Sequence, residues 1–177
     1  MLRKIKALVV YIRKYLLRTK SIRSSQRKFL ENTLLPSLII KGKVIFIGIR
    51  DYCHYESFLS EGMWINIDIS PGFRPDVAAD IHNMSFRSES LDWVLFNGVF
   101  EYLSNPFVAL EEIRRILKPG GWLLFGAPYH TLDRDGGLWR ITSSGVDFYL
   151  ADFEIRNKHN IKNKHIYCLC RKPLSPR

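Results

Sequence analysis

Apolar and polar positions along the chain follow two patterns, one typical of buried strands and one typical of amphipathic helices. The strand pattern occurs in seven segments, residues 44–49, 63–69, 76–81, 91–98, 122–128, 152–161 and 163–172. Strands that alternate with helices predict an α/β fold of Rossmann-like type, a mostly parallel, doubly wound sheet with helices on both faces. A tight polar turn joins the last two strands, which predicts an antiparallel strand at the C-terminus.

The clearest helix begins at Asn105-Pro106 and ends at the Lys-Pro-Gly-Gly segment 118–121. Asparagine is a good N-cap, and proline suits the first helical position. A second helix is predicted from Tyr52 to Glu61, ending at Gly62 as its left-handed cap. A third, short helix is predicted over residues 143–151, after a polar loop.

The charge of the chain is concentrated at its N-terminus. Residues 1–30 contain ten of the 27 Lys and Arg residues and no Asp or Glu. The remaining 147 residues contain 17 basic and 17 acidic residues, so the body is formally neutral. This division predicts two parts, a basic amphipathic N-terminal arm over residues 1–40 and a domain over residues 41–177. A neutral body disfavours nucleic acid as a partner.

Apolar residues of the arm recur at helical spacing, but the longest uncharged run, Ala7 to Ile12, is only six residues. About 20 residues are needed to span a bilayer, so a spanning helix is excluded. Three interpretations stay open: a helix on an anionic membrane surface at its inner face, an organellar presequence, or a helix packed on the domain or a partner. The body is predicted to be cytoplasmic, and oligomeric state is not predicted.

The three cysteines, Cys53, Cys168 and Cys170, do not form an even set for disulfides. Cys168 and Cys170 lie two positions apart on a predicted strand and therefore on the same face. They lack the spacing and the second ligand pair of a zinc site. We interpret all three as ordinary thiols and predict no metal.

Polar residues follow several of the predicted strands. In an open parallel sheet, ligands bind beyond the carboxyl ends of the strands. This rule predicts a binding rim that comprises residues 48–50, Asp68, Asp80, residues 97–98 and residues 127–130.

The spacing from Gly48 to Asp68 is 20 residues, which brings a carboxylate beside a nucleotide held at the first strand. A carboxylate in that position accepts hydrogen bonds from both ribose hydroxyls. A dinucleotide would need further glycines around its pyrophosphate, where this chain has Arg50 and Tyr52. S-adenosylmethionine has no phosphate, so its demand for glycines in this loop is looser, which favours it as the cofactor.

The segment LDWVLFNGVFEYLSNPFVALEEIRRILKPGGWLLFGAP, residues 91–128, resembles class I S-adenosylmethionine-dependent methyltransferases of the compact type 11 set. That set often occurs beside glycan and cell-envelope biosynthesis. The segment GLWRITSSGVDFYL, residues 137–150, is similar to a further part of the family, and the resemblance extends over about residues 43–172. It implies methyl transfer from S-adenosylmethionine to a small-molecule, glycan or lipid-linked acceptor.

By this resemblance, the cofactor-binding residues that match the family's motifs would be Gly48, Asp68, Asp80, Ile81, Asn97 and Gly98. Arg50 is a further predicted cofactor-binding residue, although it stands where the family has a glycine. The first glycine loop departs from the family pattern, because Phe46 replaces an acid and Arg50 and Tyr52 replace glycines. Arg50 would either meet the methionine carboxylate or fill its space. A noncatalytic methyltransferase-fold module that acts as a binding or regulatory partner is therefore the alternative function.

Methyl transfer to a hydroxyl needs a general base, and a sulfonium is well accommodated by aromatic faces. His130 is the predicted base, with Asp133 beside it in the loop after the fifth strand. Phe100, Tyr102 and Trp139 are candidates for contact with the sulfonium. The predicted acceptor-binding residues are Tyr102, Tyr129, Trp139 and Arg140.

Overall fold

The computed structural model describes residues 26–48, 55–129 and 136–175. The chain divides into two compact units, with the boundary between Leu38 and Ile39. The described part of the first unit is helical, a π-helical turn over Leu30–Leu34 followed by a 3-10 turn over Leu35–Ser37. The predicted division into an arm (1–40) and a domain (41–177) stays a prediction. No helix in the described ranges has the length and apolarity needed to cross a membrane.

The second unit is built on one seven-stranded sheet in the order β3-β2-β1-β4-β5-β7-β6. The strands are β1 Ile40–Ile47, β2 Leu59–Asp68, β3 Val77–Ala78, β4 Leu91–Asn97, β5 Leu117–Pro128, β6 Glu154–Ile161 and β7 His165–Arg171. The first five strands pair in parallel, and β7 runs antiparallel to both β5 and β6. The predicted fold class is confirmed.

Two α-helices of this unit cover one face of the sheet. Helix α1 spans Pro106–Ile116, and the side chain of Asn105 caps it by accepting the N–H of Val108 at 3.3 Å. Helix α2 spans Ser143–Tyr149 and is capped by Thr142. Both helices bury their apolar sides in a cluster with alternate residues of the central strands. The sheet and these two helices therefore form one hydrophobic core.

The second face of the sheet is also apolar in its central part. Phe46 of β1 packs edge-on against Tyr55 of the 3-10 turn Tyr55–Phe58, with ring centroids 5.2 Å apart. On the neighbouring strands, Trp93 and Trp122 stack at 5.6 Å. Burial on both faces explains the uninterrupted apolar run in β1.

The helix predicted from Tyr52 to Glu61 is wrong in its described part. Residues Tyr55–Phe58 form a single 3-10 turn, and β2 already begins at Leu59. Gly62 lies inside β2 with φ +126°, and a Cβ on it would lie 2.0 Å from the carbonyl oxygen of Gly42. Close pairing of β1 and β2 at two glycines thus replaces the expected helix cap, because strand pairing outweighs the weak local helix preference.

The third and fifth strands also differ from the prediction. The third strand is reduced to two residues, Val77–Ala78, whereas residues 76–81 were expected to be extended. Strand β5 begins at Leu117, so the Lys-Pro-Gly-Gly segment belongs to the strand as well as ending the helix. A register shift between Leu91 and Trp93 accommodates the extra residues opposite this segment.

Candidate cofactor and acceptor site

Three of the predicted site residues end neighbouring parallel strands at the same level. The register pairs Ile47 with Ile67 and with Phe96, so Gly48, Asp68 and Asn97 follow side by side. The amide N–H of Gly48 donates to the carbonyl oxygen of Ile67 at 3.0 Å. The carboxyl ends of β2, β1 and β4 therefore bring together a carboxylate, a glycine bend and an amide.

Asp68 is a buried carboxylate with a defined backbone setting. Only 9% of the residue is exposed, and its Oδ1 atom accepts the N–H of Ser70 at 2.9 Å. Its carbonyl oxygen accepts the N–H of Ala79 at 3.0 Å, which ties the end of β2 to the segment after β3. These contacts hold the carboxyl group at the end of β2, where the ribose contact is predicted.

The two glycines of the rim serve different purposes. Gly48 has φ +91°, and a Cβ there would lie 2.2 Å from Cγ2 of Val99. Gly98 has φ +68°, but a Cβ on it would have no atom within 4 Å, and its N–H donates to the carbonyl oxygen of Gly126 at 2.8 Å. Gly48 is thus required by close packing as well as by its backbone angle, whereas Gly98 is required by its angle alone.

Asp80 and Ile81 separate, one toward solvent and one toward the core. Ile81 is buried in the core cluster, and Asp80 is exposed. The Asp80 carboxylate lies 2.6 Å from Nδ1 of His82 and accepts the His82 backbone N–H at 2.9 Å. These backbone and side-chain hydrogen bonds hold the pKa of Asp80 below its usual range.

The other ring nitrogen of His82 extends this contact to helix α1. Nε2 accepts the backbone N–H of Asn105, the N-cap of α1, at 3.3 Å. His82 therefore joins the segment after β3 to the start of the helix after β4. The sequence did not predict this bridge, because a histidine 23 residues from its partner carries no local signal.

A second histidine that sequence reasoning missed lies at the same rim. His165, the first residue of β7, is only 5% exposed, and its Nε2 lies 3.2 Å from Oδ1 of Asn97. Its ring packs at 4.4 Å from the ring of Tyr167. Burial lowers the pKa of His165 to about 3, so the imidazole is neutral. No pattern in the sequence distinguishes His165 from His159, since the difference arises from strand order.

Among the predicted acceptor-binding residues, Trp139 has the most defined contacts. Its indole Nε1 donates to the carbonyl oxygen of Leu103 at 2.6 Å, and its backbone N–H donates to the carbonyl oxygen of Glu101 at 3.2 Å. The segment after β5 is thereby docked on the segment after β4. Tyr102 is 40% exposed beside it.

The remaining aromatic candidates divide between the rim and the core. Tyr129 is half-buried and donates its backbone N–H to the carbonyl oxygen of Lys164 at 2.9 Å, while Arg140 is exposed. Phe100 is fully buried, at 5.4 Å from the ring of Phe125. Phe100 therefore belongs to the core and does not line the rim.

Three predicted site residues lie outside the described residues: Arg50, His130 and Asp133. Their predicted roles stay predictions. Cys168 and Cys170 are both buried on one side of β7, and burial raises their pKa values, that of Cys168 to about 12. Such thiols are poor nucleophiles and poor metal ligands.

Comparison with known proteins identifies the architecture. Residues 57–125 match the family model Methyltransf_11, described as a methyltransferase domain. The described fold is similar to a chain in the solved complex between the Haloferax volcanii Trm112 methyltransferase activator and its methyltransferase partner, with TM-score 0.72 and 15% identity. That match covers 88% of this chain and 94% of the other. Residues 57–125 are therefore similar to a methyltransferase domain, and the described residues have the fold of solved methyltransferases.

The N-methyltransferase NodS from Bradyrhizobium japonicum WM9 has the same fold, with TM-score 0.70 and 18% identity over 86% of this chain and 97% of that one. A second NodS structure is a complex with S-adenosyl-L-homocysteine. S-adenosylmethionine is the cofactor that this domain implies, as the sequence predicted.

The curated relatives match a segment of this chain. A segment of 65 residues is 34% identical to the uncharacterized protein MJ1123 of Methanocaldococcus jannaschii, 37% of this chain and 30% of that protein. The chain spans less than a third of the length of the curated relatives it matches.

The described rim residues fit an adenosyl cofactor. Asp68 supplies the acceptor that a ribose diol needs, and Asn97 supplies an amide at the neighbouring position. The bend at Gly48 lies between them. Among the described residues, no cluster of metal-ligating side chains lies at this rim.

Proposed function

We propose that the protein transfers a methyl group from S-adenosylmethionine to a small-molecule, glycan or lipid-linked acceptor. The observation that supports this most directly is the alignment of Asp68, Gly48 and Asn97 at the carboxyl ends of three adjacent parallel strands. The matched methyltransferase domain, residues 57–125, includes two of these residues. The noncatalytic alternative is not favoured, because the described residues of the rim keep this alignment.

The cofactor would supply an electrophilic methyl group on a sulfonium. The acceptor atom forms a bond to the methyl carbon, the carbon–sulfur bond breaks, and the electron pair remains on sulfur. The protein's part is mainly to hold the reacting atoms in line at close distance. We assign Asp68 to the ribose and the rim at Asn97 to the methionine end, and Tyr102, Tyr129, Trp139 and Arg140 to the acceptor.

A hydroxyl acceptor also has to lose its proton. We propose His130 as the general base with Asp133 beside it, and Arg50 as a partner for the methionine carboxylate. Arg50 lies two positions from Gly48 in sequence, and His130 and Asp133 lie one and four positions from Tyr129. A nitrogen acceptor that is already uncharged would make no such demand on His130.

We further propose that the basic residues 1–30 hold the enzyme at an anionic membrane surface, at its cytoplasmic face. Each basic residue near such a surface contributes about 1 kcal/mol. The test is co-sedimentation with vesicles of anionic and of zwitterionic lipid, with the full chain and with a chain that lacks residues 1–30. Equal sedimentation of both chains would exclude this part of the proposal.

Turnover is tested with radiolabelled S-adenosylmethionine and separate pools of sugars, lipid extracts and small metabolites. The expected result is label in an acceptor pool together with release of S-adenosylhomocysteine. Asp68→Asn should abolish most of this transfer. Asp76→Asn is the matched control, because the Asp76 carboxylate accepts the Asn66 backbone N–H at 2.7 Å and is not one of the assigned site residues. Equal transfer by the two variants would exclude the assigned site.

A further inference from the structure

Asn97, Gly126 and His165 form a contact across three neighbouring strands at the rim. Asn97 pairs with Gly126 in the register of β4 and β5, and a Cβ on Gly126 would lie 2.2 Å from Oδ1 of Asn97. The same Cβ would lie 2.7 Å from a ring carbon of Tyr167. The glycine thus leaves the space through which the Asn97 side chain reaches toward β7.

The hydrogen bond between His165 and Asn97 has a defined direction. An amide Oδ1 only accepts, so Nε2 of His165 must carry the proton that it shares at 3.2 Å. His165 Nδ1 is then an unprotonated nitrogen, and it is buried with no hydrogen-bond partner among the described residues. A proton on Nδ1 would be buried without an acceptor, which disfavours both the other tautomer and the imidazolium.

The other end of the Asn97 amide remains available. Asn97 is half-buried, and its Nδ2 has no hydrogen-bond partner among the described residues. With Oδ1 held over Gly126, rotation of the amide would break the bond to His165. The two N–H groups of Nδ2 are therefore fixed donors at the end of β4.

We propose that His165 is a positioning residue of the methyltransferase site, which fixes the Asn97 amide so that its Nδ2 donates to the carboxylate at the methionine end of the cofactor. This inference rests on the proposed function. His165 itself does not touch the ligand. Its neutral Nε2–H acts through Asn97, and an N–H that donates to a charged carboxylate forms a stronger hydrogen bond than one to a neutral acceptor.

The test compares two ligands by titration calorimetry on the full chain. S-adenosylhomocysteine has the amino-acid carboxylate, and 5′-methylthioadenosine has the same adenosine and sulfur without it. His165→Phe should weaken the binding of S-adenosylhomocysteine about tenfold, the usual loss for a hydrogen bond to a charged group. It should change the dissociation constant of 5′-methylthioadenosine by less than about twofold. His165→Gln should recover most of the loss, because its amide can donate to Oδ1.

Two further variants keep the test decisive if His165→Phe fails to fold. Asn97→Ala should show the same selective loss, and the double variant should lose no more than either single variant. His159→Phe, on the adjacent strand β6, is the matched control and should bind both ligands as the wild type does. Equal weakening of both ligands would mean that His165 is only structural and would overturn the inference.

The tautomer gives an independent readout. Long-range nitrogen–proton correlation spectra should show a neutral His165 with a protonated Nε2 between pH 5 and 8. A protonated Nδ1 would reverse the Asn97 amide and overturn the inference. Failure of the wild type to bind S-adenosylhomocysteine would instead overturn the proposed function itself. If the wild type binds and His165→Phe binds equally well, only the inference about His165 is overturned.

Discussion

The Cγ2 atom of Val99 fills the space that a side chain on Gly48 would need, since a Cβ there would lie 2.2 Å from it. The bend after β1 and the segment after β4 are therefore packed directly against each other. A single glycine at this bend is required by the protein's own packing. The bend is part of the domain's architecture even where the further glycines of the family pattern are missing.

Gly48→Ala should destabilise the protein by about 2–4 kcal/mol, because it combines a positive φ with a steric clash. Adding Val99→Ala should recover the steric part of that loss. Gly98→Ala is the matched control: Gly98 also has positive φ but no atom within 4 Å of its Cβ position, so about 1–2 kcal/mol is expected. Chemical denaturation measures all three, and equal losses for Gly48→Ala and Gly98→Ala would contradict the packing argument.

Asp68→Asn should weaken the binding of S-adenosylhomocysteine at least about tenfold, because a neutral amide offers one acceptor oxygen to a ribose diol that needs two. The variant should remain folded, since its side-chain oxygen can still accept the Ser70 N–H. Calorimetry on this variant and on Asp76→Asn makes the comparison. Parallel losses in both variants would point to a general charge effect instead of a ribose contact.

His82→Phe should lower the free energy of unfolding by about 1–2 kcal/mol, because it removes the ring contacts to Asp80 and Asn105. His159→Phe is the control for loss of an imidazole elsewhere in the same domain. Urea denaturation provides the measurement. If His82→Phe is as stable as the wild type, the bridge between the segment after β3 and helix α1 contributes nothing to stability.

Stability should depend on pH through His165. Burial lowers the pKa of His165 to about 3, against 6.5 for the exposed group, so between these values the unfolded chain binds a proton that the folded protein does not. Stability therefore falls as the pH falls below about 6.5, by about 2 kcal/mol at pH 5 relative to pH 8. Carboxylates with lowered pKa values titrate below this range.

Denaturation of the wild type and of His165→Phe at pH 8 and pH 5 checks this dependence. The difference in the free energy of unfolding between pH 8 and pH 5 should be about 2 kcal/mol smaller in the variant than in the wild type. An unchanged difference would mean that His165 is accessible to protons in the folded protein, contrary to its burial.

Much of the fold was predictable because local patterns and topology agree. The apolar run at β1, the capped helix at Asn105 and the two final strands each carry their own signal. The helix expected from Tyr52 to Glu61 was wrong because the pairing of Gly42 with Gly62 is a contact between two strands. Neither glycine alone indicates it.

The site was predictable only at the level of strand ends. The rule that ligands bind at carboxyl ends identified Asp68 and Asn97 before any comparison, since it needs only strand order. His165 was missed because its proximity to Asn97 depends on the antiparallel return of β7 beside β5. An isolated histidine at a strand start has no sequence signal for that contact.

The central claim is that this rim binds an adenosyl cofactor, and titration calorimetry of the full chain with S-adenosylmethionine tests it most directly. The account predicts one site per chain with a dissociation constant on the order of 10 µM, and at least about tenfold weaker binding in Asp68→Asn. Absence of measurable heat at about 1 mM cofactor, on a sample shown to be folded, would contradict it.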